Sequence, residues 1–389
     1  MSTELNIPSI ITAIKDALPH EDSYMLHEPL FRGNENTYVK ECIDTAWVSS
    51  VGKFVDFFEE RLAEYTGVKR AVAVVNGTSA LHTCLILCGV KAGDEVLVPT
   101  LTFIATANAV TYCGAVPHFV DSAYDTLGLD PVAIDAYLAE ITEIKGSECY
   151  NKITGRRISA IVPMHTFGHP VDMDKMQVLA GKYHLALIED AAESIGSFYK
   201  GRHTGNFGRV AAMSFNGNKT ITTGGGGAVL TNDEELGRLA KHLTTQAKIP
   251  HRWEFAHDMV GYNYRMPNIN AALGCAQLEE LPEFVNSKRK LAEKYMAAFK
   301  DIKGVTFFRE PDFAKSNYWL NAIMIDEEYA EKRDELLAAL NDNGIMSRPI
   351  WNLMYTMPMF AACPRMECRV AEDIGRRLIN IPSGVVLGE

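Results

Sequence analysis

Cys-x-x-Cys pairs are absent from this chain, although it carries eight cysteines. That excludes the common zinc and dithiol motifs, and no metal site is expected. Cys84, Cys88, Cys113 and Cys275 lie within apolar runs, so the cysteines read as reduced, buried thiols and not as a disulfide frame. There is no uninterrupted 18-residue apolar run, so no membrane-spanning helix is expected. The opening Met1-Ser2-Thr3-Glu4-Leu5-Asn6 has no basic region followed by an apolar core, so no signal peptide is expected and the expected location is the cytoplasm. Positive charge is also in short supply. With 38 Lys and Arg against 49 Asp and Glu, the net charge of -11 argues against nucleic acid or an anionic membrane as partner, while leaving room for a local basic pocket. Repeats and low-complexity segments are missing too.

What is present is an ordinary globular composition, 47% hydrophobic and 22% charged over 389 residues, enough for a large core and two domains. The expected division is an N-terminal arm (1–50), a large domain (51–280) and a smaller C-terminal α/β domain (281–389). Residues 10–17 and 37–45 read as helices. The spacing of Phe54, Phe57, Phe58, Leu62 and Tyr65 predicts an amphipathic helix over 53–65. From residue 71 short apolar runs, at 71–75, 95–99, 116–121, 158–164, 185–190, 211–215 and 227–231, alternate with segments mostly of helical length. This predicts an α/β domain with a seven-stranded, mostly parallel sheet and helices on both faces. The last two runs are joined by a short stretch rich in Gly, Thr and Asn, too brief for a comfortable helical crossover, so this pair is expected to be antiparallel. The polar segment 146–157 reads as a surface loop. A long helix is expected from about 273, with Pro282 near its middle or at its stop.

Ligands of such sheets sit beyond the carboxyl ends of the strands, so the residues just after each run carry most of the information. After the first comes Asn76-Gly77-Thr78-Ser79, whose hydroxyls and N–H groups at a helix start serve either a phosphate or a simple cap. After the second comes Phe103, either a stacking face for a flat ligand or a core ring. Asp190 closes a very apolar run, which is costly without a partner, and a protonated ring nitrogen would be a good one. His165 either orients Asp190 or is a satisfied core histidine. Ser214-Phe215-Asn216-Gly217-Asn218-Lys219 then leads into Gly224-Gly225-Gly226-Gly227. Lys219 is either a solvated loop lysine or an amine that loses its proton and attacks a carbonyl. Trp47 and Ser49 lie in a loop that either pins the N-terminal arm or lines a cleft. Lys248, His251 and Arg252 are candidate cations of a local basic pocket for an anionic ligand, or a solvated helix end.

Taken together, Thr78, Ser79 and Ser214 for a phosphate, Phe103 for a ring, Asp190 for a ring nitrogen and Lys219 for an aldehyde are the groups that pyridoxal 5′-phosphate requires. With these residues, and with Glu189-Asp190-Ala191-Ala192-Glu193 and Gly261-Tyr262-Asn263-Tyr264-Arg265-Met266, the sequence resembles the DegT/DnrJ/EryC1/StrS nucleotide-sugar aminotransferases over about 26–383. The resemblance implies the aspartate aminotransferase-like fold-type I of pyridoxal-phosphate enzymes. It also implies that Lys219 carries the cofactor and Asp190 pairs with its ring nitrogen. Asn263 is implied to reach the phosphate in the partner subunit of a homodimer. Such proteins often have Gln or His where Glu193 stands, near the cofactor's 3′-oxygen. The segments 26–31, 47–52 and 316–321 are most similar to enzymes acting at C4 of UDP-4-keto-6-deoxy-N-acetylhexosamines. The implied reaction moves an amino group from L-glutamate to the 4-keto sugar, with GDP- or dTDP-linked sugars as the alternative. A dehydratase on this scaffold typically carries His at the lysine position, so Lys219 favours amino transfer. No separate DNA-binding region accompanies the fold, which weighs against a regulator.

Overall fold

The structure, a computed structural model, describes residues 4–389. Its centre is a sheet built on β1 (Arg70–Val74), β2 (Glu95–Pro99), β3 (Val116–Val120), β4 (Arg157–Ile161), β5 (Ala186–Asp190), β6 (Val210–Ser214) and β7 (Gly227–Thr231). In space the order is β1-β7-β6-β5-β4-β2-β3. Only β7 runs against its neighbours: it is antiparallel to both β1 and β6, while β6–β5, β5–β4, β4–β2 and β2–β3 are parallel. Alternation along each strand splits the core in two. Val72, Val74, Ala212 and Val229 face one cluster, whereas Ala71, Ala73, Met213 and Leu230 face the other. A strand buried on both faces needs apolar side chains in both registers, which is why these segments read as continuous apolar runs. Pro117 is tolerated in β3 because that strand lies at the end of the ladder.

The segment 146–157 is not a free loop. Thr142–Lys145 and Glu148–Asn151 form a hairpin whose second strand pairs antiparallel with β4, extending the sheet to nine strands. Cys149 packs into the apolar core, while Asn151 and Thr154 turn to a buried polar anchor, Glu95 of β2, which accounts for part of the segment's polar character.

A long helix, Asn268–Ala298, crosses from the sheet to a second unit, with Pro282 inside it. The position taken as a domain boundary, 280, therefore falls within one helix. The second unit holds an antiparallel sheet of β8 (Val305–Phe307), β9 (Asn321–Ile325), β10 (Arg348–Pro349) and β11 (Leu378–Ile381), in the order β8-β9-β11-β10. The N-terminal helix Ile7–Ala17 buries Ile10, Ala13 and Ile14 in the same core as Leu291, Tyr295, Ile323 and Leu336. Within the segment expected as an N-terminal arm, the helix Ile7–Ala17 is thus packed into the core of the second unit.

Candidate active site

The carboxyl ends of β1, β2, β4, β5 and β6 open onto one cleft of about 350 Å³. It is lined by Asn76, Gly77 and Thr78 after β1, Phe103 and Thr106 after β2, Met164 after β4, Asp190 and Glu193 after β5, and Ser214 and Lys219 after β6. Trp319 and Trp351 of the second unit complete the wall.

Glycine decides the shape near β1. A Cβ at Gly77 would stand 2.7 Å from the Cβ of Ser214, so the helix Gly77–Leu87 starts tight against the end of β6. Asn76 caps this helix, its Oδ1 accepting from Ser79 N at 2.8 Å. The remaining first-turn N–H groups and the Ser214 hydroxyl form a compact set of donors beside the cleft.

Asp190 is almost wholly buried at the floor, where its carboxylate accepts from Thr106 Oγ1 at 2.7 Å and from Ala192 N at 3.2 Å. Burial pushes this carboxyl up, opposed by the two hydrogen bonds and by the charge of Lys219. Among the described residues no Lys, Arg or His lies within ion-pair distance of it. Lys219 is only 13% exposed at its side chain, so it is not a solvated loop lysine. Its Nζ lies 3.3 Å from Glu193 Oε1 and 3.8 Å from the centroid of the Trp319 ring. Burial pushes the Glu193 carboxyl up to about 7, against the charge of Lys219 and an N–H bond from Phe167.

The surrounding backbone is tied across the two units. Asn317 Nδ2 donates to the carbonyls of Glu193 (2.9 Å) and Ile195 (2.8 Å), and Trp319 Nε1 donates to Asn218 O at 2.7 Å. Gly168, at φ +94°, leaves the space that Asn317 fills, since a Cβ there would overlap its Oδ1.

Of the residues singled out in the sequence, Thr78, Phe103, Asp190, Glu193, Ser214 and Lys219 meet at this cleft. Phe103 is 52% exposed, which sets it apart from a core ring. Ser79 is buried next to the cleft lining and is not part of it. His165 is directed elsewhere: Val171 N donates to its Nδ1 at 3.2 Å, so Nε2 carries the hydrogen toward Glu189 Oε2 at 3.1 Å, on the side of β5 opposite the Asp190 side chain. Fully buried there, it orients neither Asp190 nor a substrate. Trp47 and Ser49 lie apart, held through their backbone carbonyls by Asn268, so that segment is pinned and does not line this cleft. Lys248, His251 and Arg252 sit on an exposed hairpin whose strands are Lys248–Ile249 and Ala256–His257. Asn263 is exposed and outside the cleft of its own chain. Sequence reasoning missed Thr106, Asn317 and Trp319. Asn317 and Trp319 fall inside the segment 316–321, yet nothing local marks their contacts.

The geometry has parallels in known proteins. A model of the "DegT/DnrJ/EryC1/StrS aminotransferase family" matches residues 30–389. The chain is 41% identical to GDP-perosamine synthase of Escherichia coli O157:H7 over 92% of both chains. It is 39% identical to GDP-perosamine synthase of Caulobacter vibrioides over 93% of both. Among solved structures, Helicobacter pylori PseC, an aminotransferase involved in the biosynthesis of pseudoaminic acid, matches with a TM-score of 0.84 at 26% identity, covering 92% of this chain and 93% of that one.

Proposed function

This chain belongs to the DegT/DnrJ/EryC1/StrS aminotransferase family and is a pyridoxal-phosphate-dependent sugar-nucleotide aminotransferase; we propose that it moves an amino group from L-glutamate to C4 of a GDP-linked 4-keto-6-deoxy sugar. The observation that carries the choice of GDP is the identity of 41% and 39%, over more than nine-tenths of the chain, to two GDP-perosamine synthases. These relatives support the GDP-linked alternative better than the UDP-linked N-acetyl sugar expected from the sequence.

The residues present suit the cofactor. A buried carboxylate with only neutral donors is costly, and a protonated ring nitrogen opposite Asp190 offsets that cost. The donors around Gly77, Thr78 and Ser214 suit a phosphate, and the exposed face of Phe103 suits a flat ring. The bound cofactor supplies an electron sink for the carbon whose proton is removed.

The chain's own residues do the remainder. Thr106 holds the Asp190 carboxylate in place, so that the ring nitrogen keeps its proton. The Lys219 amine carries the cofactor at rest, and once displaced it moves the proton at the α-carbon of the donor. Trp319, fixed by Asn218, limits where that amine can go.

The site is proposed to be completed by a second copy, with Asn263 crossing to its phosphate. The exposed Trp253 (69%), Phe255 (81%) and Val260 (82%) near that residue support an interface there.

The test offers L-glutamate and GDP-, UDP- and dTDP-4-keto sugars to the purified enzyme, with the aminated product identified by mass and NMR. The GDP sugar is expected to turn over at least tenfold faster than the others; equal or faster turnover of the UDP sugar overturns the choice of base. Lys219→Ala is expected to fold, yet to give no borohydride-fixed cofactor and no half-reaction with glutamate.

A further inference from the structure

Glu193 stands where the resemblance leads one to expect Gln or His, and its surroundings give it more than a contact to make. The side chain is 1% exposed and its two oxygens are not equivalent. Oε2 accepts from Phe167 N at 2.8 Å, where Phe167 is held at φ +55°, while Oε1 is left facing Lys219 Nζ at 3.3 Å. The backbone of Glu193 is fixed as well, its carbonyl bound by Asn317 Nδ2. One oxygen is therefore anchored and the other presented to the amine at hydrogen-bond distance.

We propose that Glu193 is the proton partner of Lys219: Oε1 takes the ammonium proton when the amine must be free, and returns it when the amine must act as an acid. In this transfer one N–H bond breaks at Nζ and one O–H bond forms at Oε1, and the pair passes from plus–minus to neutral–neutral with no change in total charge. The inference rests on Lys219 being the residue that carries the cofactor.

The charges around the pair favour an easy transfer. Asp190 adds a second carboxylate on the same segment, which opposes ionisation of Glu193, and the Lys219 ammonium and the Phe167 N–H favour it. The charge of Lys219 also reaches His27 of the N-terminal segment, itself kept neutral by burial and by the Lys288 and Lys219 charges. The Trp319 ring, its centroid 3.8 Å from Nζ, offers the ammonium a second attractive face besides Oε1. With Glu193 buried and the Lys219 side chain largely so, the neutral pair avoids the desolvation penalty that the ion pair carries. An amide at the same position could hold the geometry and could not accept the proton.

The test is a pH titration of the visible absorbance of the holoenzyme, with Glu193→Gln and Glu193→Asp beside the wild type. The wild-type spectrum is expected to change with a midpoint near neutral pH. In Glu193→Gln that transition should vanish or move by more than about one pH unit. In Glu193→Asp it should persist. The single-turnover half-reaction with L-glutamate should slow by about tenfold or more in Glu193→Gln with KM unchanged, the lower end of what a positioned acid–base group contributes. Identical titrations in wild type and Glu193→Gln overturn the inference. If Glu193→Gln does not retain cofactor, Glu193→Asp decides, and loss of its transition counts against the proposal. Borohydride fixation on Lys219 is recorded in each variant. Fixation with an unchanged titration rejects only the role of Glu193, whereas no fixation in the wild type rejects the reading beneath it.

Discussion

Glu189 and Asp190 are adjacent carboxylates with opposite environments. Successive strand residues face opposite sides of a sheet, so a single step along β5 carries one carboxylate away from the cleft and the other into it. Glu189 is surrounded by donors: Gly205 N at 2.7 Å, Phe207 N and Gly208 N at 2.6 Å each, and His165. Burial pushes its carboxyl up, yet these bonds outweigh burial and hold it below the usual range. Asp190 has two donors and no such compensation, and its carboxyl is pushed up. The difference suits one to hold a loop and the other to wait for a cation. At this scale Thr106→Val is expected to destabilise the cofactor-free protein by about 1.5–3 kcal/mol, the worth of a hydrogen bond to a charged group. The loss should be smaller in the loaded protein, where a protonated ring nitrogen compensates the same carboxylate. Urea unfolding with and without cofactor measures both. An equal loss in the two forms would mean that the ring nitrogen does not face Asp190.

Secondary elements explain which parts of the site were legible in the sequence. Lys219, Asp190 and Phe103 directly follow or close apolar runs, and strand ends converge by topology, so their meeting could be anticipated. Asn317 and Trp319 approach from the second unit across some hundred residues, and no periodicity encodes that approach. His165 misled because chain proximity to a strand end says nothing about which face the ring takes. The hairpin Thr142–Lys145/Glu148–Asn151 was hidden for another reason: its anchor is polar. Glu95 of β2, fully buried, accepts from His118 Nδ1 (2.8 Å), Asn151 Nδ2 (2.9 Å) and Thr154 Oγ1 (2.5 Å). Burial pushes this carboxyl up, but the bonds from His118, Thr154 and Asn151 prevail and its folded-state pKa is depressed. A depressed carboxyl contributes stability above the unfolded-state value of about 4.3 that is lost as the pH falls through the folded-state value. Glu95→Gln is therefore expected to cost about 2–4 kcal/mol at pH 7 and to flatten the acid limb of the stability curve. Unfolding midpoints between pH 3 and 7 check this, and parallel curves for the two proteins would contradict it.

At the scale of the whole molecule, the net charge of -11 and a cleft open to solvent leave two problems that the proposed pairing with a second copy would address. The hairpin 248–257 exposes Trp253 and Phe255 beside Lys248 and Arg252, whose cations lie over the Phe255 and Trp253 rings respectively. Large exposed aromatics grouped on one projection mark an interaction surface, and a second copy covering it would bring cations and Asn263 near another chain's cleft. A symmetric pair with shared sites makes a quantitative prediction. Lys219→Ala and Asn263→Ala homodimers should each be impaired, for different reasons. When the two are mixed and allowed to exchange subunits, half of the dimers are hybrids. Each hybrid then holds one site with both an intact Lys219 and an intact Asn263 from the partner. Activity should rise on mixing to about a quarter of the wild-type value, the statistical share of restored sites under isologous pairing. Sites confined to single chains would instead give the plain average of the two variants, with no rise on exchange. Trp253→Ser with Phe255→Ser supplies the complementary test: it should shift the sedimenting species from dimer to monomer and abolish the recovery. A double variant that remains dimeric would locate the contact elsewhere on the surface.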